Sequence, residues 1–143
     1  MDTDITYQTS CDGVRAEDLT GFFVGWPRAP DRQTHLRILR GSDAVVLARA
    51  ADGRVVGFVT ALTDGVLSAY IPLLEVLPDH RGQGIGTALV RQLLDHLGPL
   101  YMTDLLCDPG VQPFYERLGL NRASGMMLRR YDAQGGVAEG RRG

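Results

Sequence analysis

The chain contains no lysine. All 15 of its basic residues are arginine, which excludes any chemistry that needs the protein's own lysine, such as a side-chain Schiff base or a Walker-type phosphate lysine. Cysteine is nearly as scarce. Cys11 and Cys107 show neither metal-ligand spacing nor a disulfide framework, and Cys107 within "TDLLCD" reads as a buried strand thiol rather than a nucleophile. No sign of charge dominates: 15 basic against 17 acidic residues leave a net charge of −2, which offers no general attraction to nucleic acid or to an anionic membrane. Long apolar runs are absent, so no membrane span is expected. The first residues, "MDTDITYQTS", have neither the basic region nor the apolar core of a signal peptide. A cytoplasmic enzyme or binding module is the expectation.

What is present is an ordinary globular composition, 44% hydrophobic and 22% charged over 143 residues, enough for one domain with a sizeable core. Ile5 to Thr9 reads as a first short strand. Leu19, Phe22, Phe23 and Trp26 fall at i, i+3, i+4 and i+7, the spacing of an amphipathic helix stopped by Pro27. "PDRQTHLRILRG" reads as a second helix, with Leu36 and Leu39 inward and Gly41 as its stop. The period then changes. "AVVLARA" and "RVVGFVTAL" flank Asp52-Gly53, a hairpin signal, and after a turn at Gly65 "LSAYIPLLEVL" reads as a third long strand. Ile85, Leu89, Leu93 and Leu97, with Val90 and Leu94, mark a helix ended by Gly98-Pro99. "YMTDLLC" reads as a buried strand, "VQPFYERLG" as a short helix capped at Gly119, and "ASGMMLRRY" as a last strand. The order is β-α-α-β-β-β-α-β-α-β, an α/β (α+β) arrangement with a mixed central sheet flanked by helices. A single domain over residues 1–132 is expected, with a disordered tail over 133–143, and the strand–helix–strand unit from Ala69 to Cys107 should be a right-handed parallel crossover.

The segment "PDHRGQGIGTALV" places three glycines, at alternate positions, where a strand hands over to a helix. The first N–H groups of a helix have no intrahelical partner, and the helix dipole adds positive potential there. Glycine lets an anion approach that backbone without a Cβ in the way, and Arg81 adds a charged donor. Two familiar phosphate motifs do not fit. The dinucleotide fingerprint needs glycine at 87, where this chain has Thr87, and the P-loop needs a lysine. A glycine-rich turn without a ligand is the plainer alternative.

"RGQGIG" resembles the Arg/Gln-x-x-Gly-x-Gly/Ala signature of the GNAT superfamily of acyl-CoA-dependent N-acetyltransferases. "EVLP" upstream is similar to the end of that family's fourth strand, and "PFYERLGL" downstream to its later "FYEKLGF"-like motif. The resemblance covers residues 3–131. It implies a GNAT-like fold with the cofactor at the splay between the fourth and fifth strands, here between "LLEVL" and "TDLLC". It also implies acetyl-CoA as the acyl donor, with Arg81, Gly82, Gln83, Gly84, Ile85, Gly86 and Thr87 around its pyrophosphate. The backbone of Val76 and Leu77 would pair with the pantetheine arm, and a backbone N–H near Val76 would serve the oxyanion.

Acetyl transfer from a thioester needs a neutral amine, a stabilised oxyanion and a proton for the leaving thiolate. Glu75, a carboxylate in an otherwise apolar strand, is the candidate base, the alternative being a solvent-facing strand residue. Tyr115, at the position of the family's frequent general acid, is the candidate proton donor, the alternative being that Tyr115 and Phe114 only pack the last helix. Asp108 stands where the family commonly has an asparagine that helps hold the cofactor arm, and an ionised carboxylate cannot donate that bond. Asp108, or Asp104 on the same strand, would instead attract a cationic amine, or Asp108 simply caps a helix. Phe22, Phe23 and Trp26 offer an acceptor pocket or a core face, Trp26 being the pocket candidate. His35 and His96 read as surface-helix residues and His80 as a loop residue, and no metal site is visible. The expected function is acetyl transfer from acetyl-CoA to the primary amine of a small molecule, with no nucleic-acid or membrane partner. An acyl-CoA-binding regulatory module without turnover and an enzyme acting on a protein N-terminus or aminoacyl-tRNA are the alternatives. Many relatives dimerise, so a homodimer stays open.

Overall fold

The computed structural model describes residues 4–138. Five strands form one sheet in sequential order: β1 (Thr6–Gln8), β2 (Ala44–Arg49), β3 (Val55–Thr63), β4 (Ser68–Val76) and β5 (Met102–Asp104). The pairs β1–β2, β2–β3 and β3–β4 are antiparallel, and β4–β5 is parallel. The parallel pair requires a crossover, and helix α2 (Ile85–Leu97) supplies it. This is the mixed sheet flanked by helices that the residue pattern predicts.

Both faces of β2 are buried because a helical layer lies on each side. This explains why its apolar run is continuous rather than alternating. On one face, Val46, Ala48, Val56 and Val59 meet Ile85, Leu89 and Leu93 of α2. On the other, Leu47, Val55 and Phe58 meet Leu36 and Leu39 of helix α1 (Arg32–Gly41), together with Leu19 and Phe23. Asp31 caps α1, its carboxylate accepting from the Thr34 N–H at 2.8 Å. Gly57 decides how closely α2 approaches: a Cβ there would stand 3.0 Å from Leu89 Cδ1 and 3.2 Å from Ile85 Cγ2. A side chain at 57 would press on these two α2 side chains, which would have to give by a few tenths of an ångström.

Four expectations are corrected. The helix expected over Leu19 to Trp26 is only a 3₁₀ turn, Ala16–Leu19, followed by irregular chain. Gly21 (φ 101°), Phe23 (φ 63°) and Gly25 (φ 83°) take left-handed conformations, which a right-handed helix cannot continue through. The apolar spacing reflects packing alone. His35 does not face solvent: it is 1% exposed, enclosed by the rings of Phe22, Phe23 and Phe58 at centroid distances of 5.3, 4.8 and 4.5 Å. The strand "YMTDLLC" is shorter and more exposed than expected, pairing only over Met102–Asp104 at the edge of the sheet, so Cys107 lies beyond it and is half-buried. The last strand does not form. Residues 121–130 are irregular and exposed throughout, because no neighbouring strand reaches them. In the tail, residues 131–133 make a 3₁₀ turn. Beyond it the Gln134 side chain accepts from the Arg28 N–H, and the Val137 carbonyl accepts from the Arg37 guanidinium. Residues 139–143 lie outside the described residues. No described helix is long and apolar enough to cross a membrane.

Candidate active site

The site is built where β4 hands over to α2. Gly84 occupies the N-cap of α2 at φ 81°, with no side-chain capping bond and no acidic residue in the first turn. The first helical bond runs from the Ala88 N–H to the Gly84 carbonyl at 3.1 Å, leaving the N–H groups of Ile85, Gly86 and Thr87 without helical partners. A Cβ on Gly82 or Gly84 would meet nothing within 4 Å, so the space over these donors is open. Ile85 is buried and pins the turn from below, whereas Arg81, Gln83 and Gly84 are exposed. The Arg81 Nε donates to the Val76 carbonyl at 3.0 Å, folding its guanidinium back over the end of β4. Open N–H donors, a helix dipole and a cation, with no competing carboxylate in the turn, match the chemistry of a pyrophosphate.

Beside this helix start the sheet opens. The β4–β5 pairing ends at Tyr70 and Asp104, so the rest of β4 has no partner on that side. Leu77 donates its N–H to the Val56 carbonyl, and its own carbonyl accepts from His80. Both backbone groups of Leu77 are therefore engaged within the fold. Strand alternation then turns the N–H groups of Val76 and Leu74 and the C=O of Leu74 toward the opening, where an extended chain can pair with them, while the Val76 carbonyl already accepts from Arg81. Phe114, on helix α3 (Gln112–Glu116), closes the far side: a Cβ on Gly86 would lie 3.5 Å from its ring and 3.8 Å from Val76.

Glu75 points to the α1 side of β4. Its two oxygens accept from the backbone N–H groups of Phe23 at 2.8 Å and Val24 at 3.2 Å. Around it lies a pocket of about 230 Å³ lined by Phe23, Trp26, Phe58, Leu73 and Arg81 among others. It has aromatic walls with one carboxylate and one guanidinium at the rim. Trp26, 39% exposed, is the wall that faces solvent.

Tyr115 follows Phe114 on α3 and is 8% exposed. Burial, with a smaller contribution from nearby Cys107, pushes its phenol up to about 12, so it stays protonated at neutral pH. Asp108 is exposed and opens the 3₁₀ turn Pro109–Val111 through its carbonyl, without a side-chain cap. Asp104 pairs with Tyr70, five residues back along β4 from Glu75. It lines a different groove with Asp43, Asp64 and Met102. Glu75, Trp26 and Arg81 thus come together, with the glycine turn next to them, while Asp104 stands apart. Phe58, Leu73 and the Phe23 backbone belong to the pocket without having been singled out in the sequence. Only Gly21 and Gly25, which flank Phe23, hint that the chain there is bent to a purpose. Among the described residues no group of His, Cys, Asp and Glu is arranged to hold a metal ion.

A parallel strand pair that splays beside an uncapped, glycine-lined helix start is the frame of a site for a phosphate-bearing ligand. The chain belongs to the Acetyltransferase (GNAT) family, whose model matches residues 11–120. A crystal structure of a proposed acetyltransferase from Deinococcus radiodurans R1 is 55% identical, with a TM-score of 0.93 and 94% of each chain covered. The uncharacterized N-acetyltransferase ycf52 of Pyropia yezoensis is 29% identical over 100 residues, covering 67% of this chain and 58% of that protein. The chloroplastic serotonin N-acetyltransferase 2 of Oryza sativa subsp. japonica is 34% identical over 101 residues, covering 67% of this chain and 50% of that protein. The chain thus matches between half and three-fifths of the length of these two curated relatives.

Proposed function

We propose that the protein transfers the acetyl group of acetyl-CoA directly to the primary amine of a small molecule. The observation that carries this reading is the placement of two openings on either side of one strand. The glycine turn and the β4–β5 gap lie at its edge, and the Glu75 pocket lies on its α1 face. When bound, acetyl-CoA supplies an activated acyl carbon. The rest of the chemistry belongs to this chain.

The N–H groups of Ile85, Gly86 and Thr87, with Arg81, hold the pyrophosphate, and Gln83 borders it. Val76 and Leu74 pair with the pantetheine arm, and the Val76 N–H faces the position where negative charge develops on the carbonyl oxygen. Phe114 limits how deeply the arm sinks. Glu75 is held in one rotamer by its two backbone bonds and keeps lone pairs free to draw a proton from the ammonium, directly or through water. Trp26 and Phe23 pack the body of the acceptor. Tyr115, protonated, gives its proton to the departing sulfur and regains one from solvent. Asp108, exposed on the surface after β5, adds negative charge that would attract a cationic amine. The aromatic walls favour an amine carried on an apolar body. The rice relative's name, which specifies serotonin, agrees with that preference.

The test has two arms. Calorimetry should show binding of both CoA and desulfo-CoA, since the phosphates provide the anchor. Thiol release from acetyl-CoA should then rise with primary amines, aromatic ones above all. Absence of CoA binding ends the acyltransferase reading. Binding without thiol release across a broad amine panel makes the protein a ligand-binding module instead.

A further inference from the structure

The pocket on the α1 face of β4 carries charges of both signs that do not neutralise each other. Glu75 and Arg81 are the two ionic side chains in its lining, and the ion pairs among the described residues lie elsewhere, on Asp18 and Glu116. Each of the two is held by backbone instead. The Glu75 oxygens accept from the N–H groups of Phe23 and Val24 and keep lone pairs free. The Arg81 Nε donates to the Val76 carbonyl at 3.0 Å. A guanidinium carries more N–H donors than this bond uses, so its Nη groups stay available for a phosphate on one edge and a second anion on the other.

The rest of the lining is apolar and close. Phe58 is the cross-strand partner of Glu75, and Leu73 lies two residues back along β4, so all three side chains share one face of the sheet. Phe23 and Trp26 belong to the loop opposite, their ring centroids 4.9 Å apart. The enclosed space is about 230 Å³, smaller than the roughly 300–1,000 Å³ of pockets that take drug-sized ligands. That is the scale of a single amino acid, not of an oligosaccharide. The pocket therefore offers one anion, one cation and an aromatic slot to a small ligand.

We propose that the acceptor is a free α-amino acid with an aromatic side chain, an inference that rests on the acetyl-transfer reading above. Its ammonium meets Glu75, its carboxylate meets the Arg81 fork, and its ring lies between Phe23, Trp26 and Phe58. Guanidinium and carboxylate match in shape as well as charge. A simple amine leaves Arg81 without an anion, and so does a peptide N-terminus, whose first carbonyl belongs to an amide. Sites built for a polar group reject the analogue that lacks it, because their own polar group is then unpaired. In the transfer a new N–C bond replaces the C–S bond of the thioester. Of the two protons that the ammonium sheds, one ends on the CoA sulfur and the other in solvent. The N-acetyl amino acid keeps its carboxylate but has no cation left for Glu75, which weakens its hold on the pocket and favours release.

Thiol release at saturating acetyl-CoA, measured with L-phenylalanine, its amide and phenethylamine, tests this, together with calorimetry of the same three against protein loaded with desulfo-CoA. The amide and the amine keep the ammonium and the ring but lack the carboxylate. Phenylalanine should be preferred over both by about tenfold or more in kcat/KM and in affinity, the scale of one lost charge-assisted bond. In Arg81→Gln that preference should disappear, since any weaker hold on the cofactor is common to all three acceptors. Equal or better use of the amide, no binding of phenylalanine, or a preference that survives Arg81→Gln overturns the proposal. Binding with the expected preference but no thiol release supports the amino-acid site and ends the acetyl-transfer reading. Thiol release with the amine or the amide but not with phenylalanine does the reverse.

Discussion

Glu75 and Phe23 lie 52 residues apart in sequence, yet the carboxylate of one accepts the backbone N–H of the other at 2.8 Å. Phe23 is the non-glycine residue with positive φ among those described, at 63°, a conformation that costs on the order of 1–3 kcal/mol for an ordinary side chain. The double acceptance by Glu75 offsets that strain and closes the loop over the aromatic pocket. One side chain thus shapes the pocket and is the base proposed for it.

Replacing this carboxylate should therefore have two consequences. Glu75→Gln turns an N–H donor toward one of the two backbone donors, and stability should fall by about 1–3 kcal/mol, the cost of a lost charge-assisted bond. As the base is lost too, kcat should drop by roughly 10²–10⁴-fold while CoA affinity holds. Steady-state kinetics with calorimetry separates the two, and an unchanged kcat removes Glu75 from proton transfer.

Gly84→Val tests the anion cradle. The backbone there sits at φ 81° with open space around the missing Cβ, so the side chain enters the ligand's volume rather than the protein's. CoA affinity should fall about tenfold or more, each factor of ten being about 1.4 kcal/mol. Gly65→Val is the control: φ is 74° and nothing lies within 4 Å, but the turn is remote from the site. Equal loss of affinity in both would mean that backbone strain, not access, is responsible.

Tyr115→Phe keeps the ring and removes the proton. With the phenol at about 12, it stays protonated across ordinary assay conditions. The expected fall in kcat, on the order of 10²–10⁴-fold, should be the same at every pH in that range. KM for acetyl-CoA should hold, and the defect should shrink with an acyl donor whose thiol leaves without protonation. A folded, fully active variant would assign the proton to water.

His35 should govern the acid side of stability. Burial among three aromatic rings lowers its pKa from 6.5 to about 4, and neither ring nitrogen finds a hydrogen-bond partner among the described residues. The unfolded chain takes up a proton as pH falls through 6.5, but the folded protein does so only near 4. The stabilisation is therefore whole above the upper value and lost across that window, about 3 kcal/mol in all at 1.36 kcal/mol per unit. Denaturant unfolding at a series of pH values should show this decline, and His35→Leu should flatten it. An identical slope in the variant places the acid sensitivity elsewhere.

Local chemistry was enough to read most of the frame. The Asp52-Gly53 hairpin, the switch from period two to period 3.6 at Ile85, and the Gly98 stop all reappear at the expected places. Each depends on neighbours a few residues away, as does the glycine turn at the start of α2. Glu75 and Trp26 were also legible as candidates, one for a charge in an apolar run and the other for its place before a proline. Sequence alone did not reveal what joins them. Leu19, Phe22, Phe23 and Trp26 have helical spacing, but packing against Phe58 and the bond to Glu75 outweigh a helix that three left-handed residues already forbid. His35 reads as polar in its own turn of helix, and only the convergence of three rings from elsewhere in the chain encloses it. "ASGMMLRRY" has the composition of a strand, yet a strand exists only where another offers its hydrogen bonds. Contacts between residues close in sequence can be read along the chain, whereas burial, strand pairing and the geometry of a cleft depend on which distant segments meet, and tertiary packing settles that.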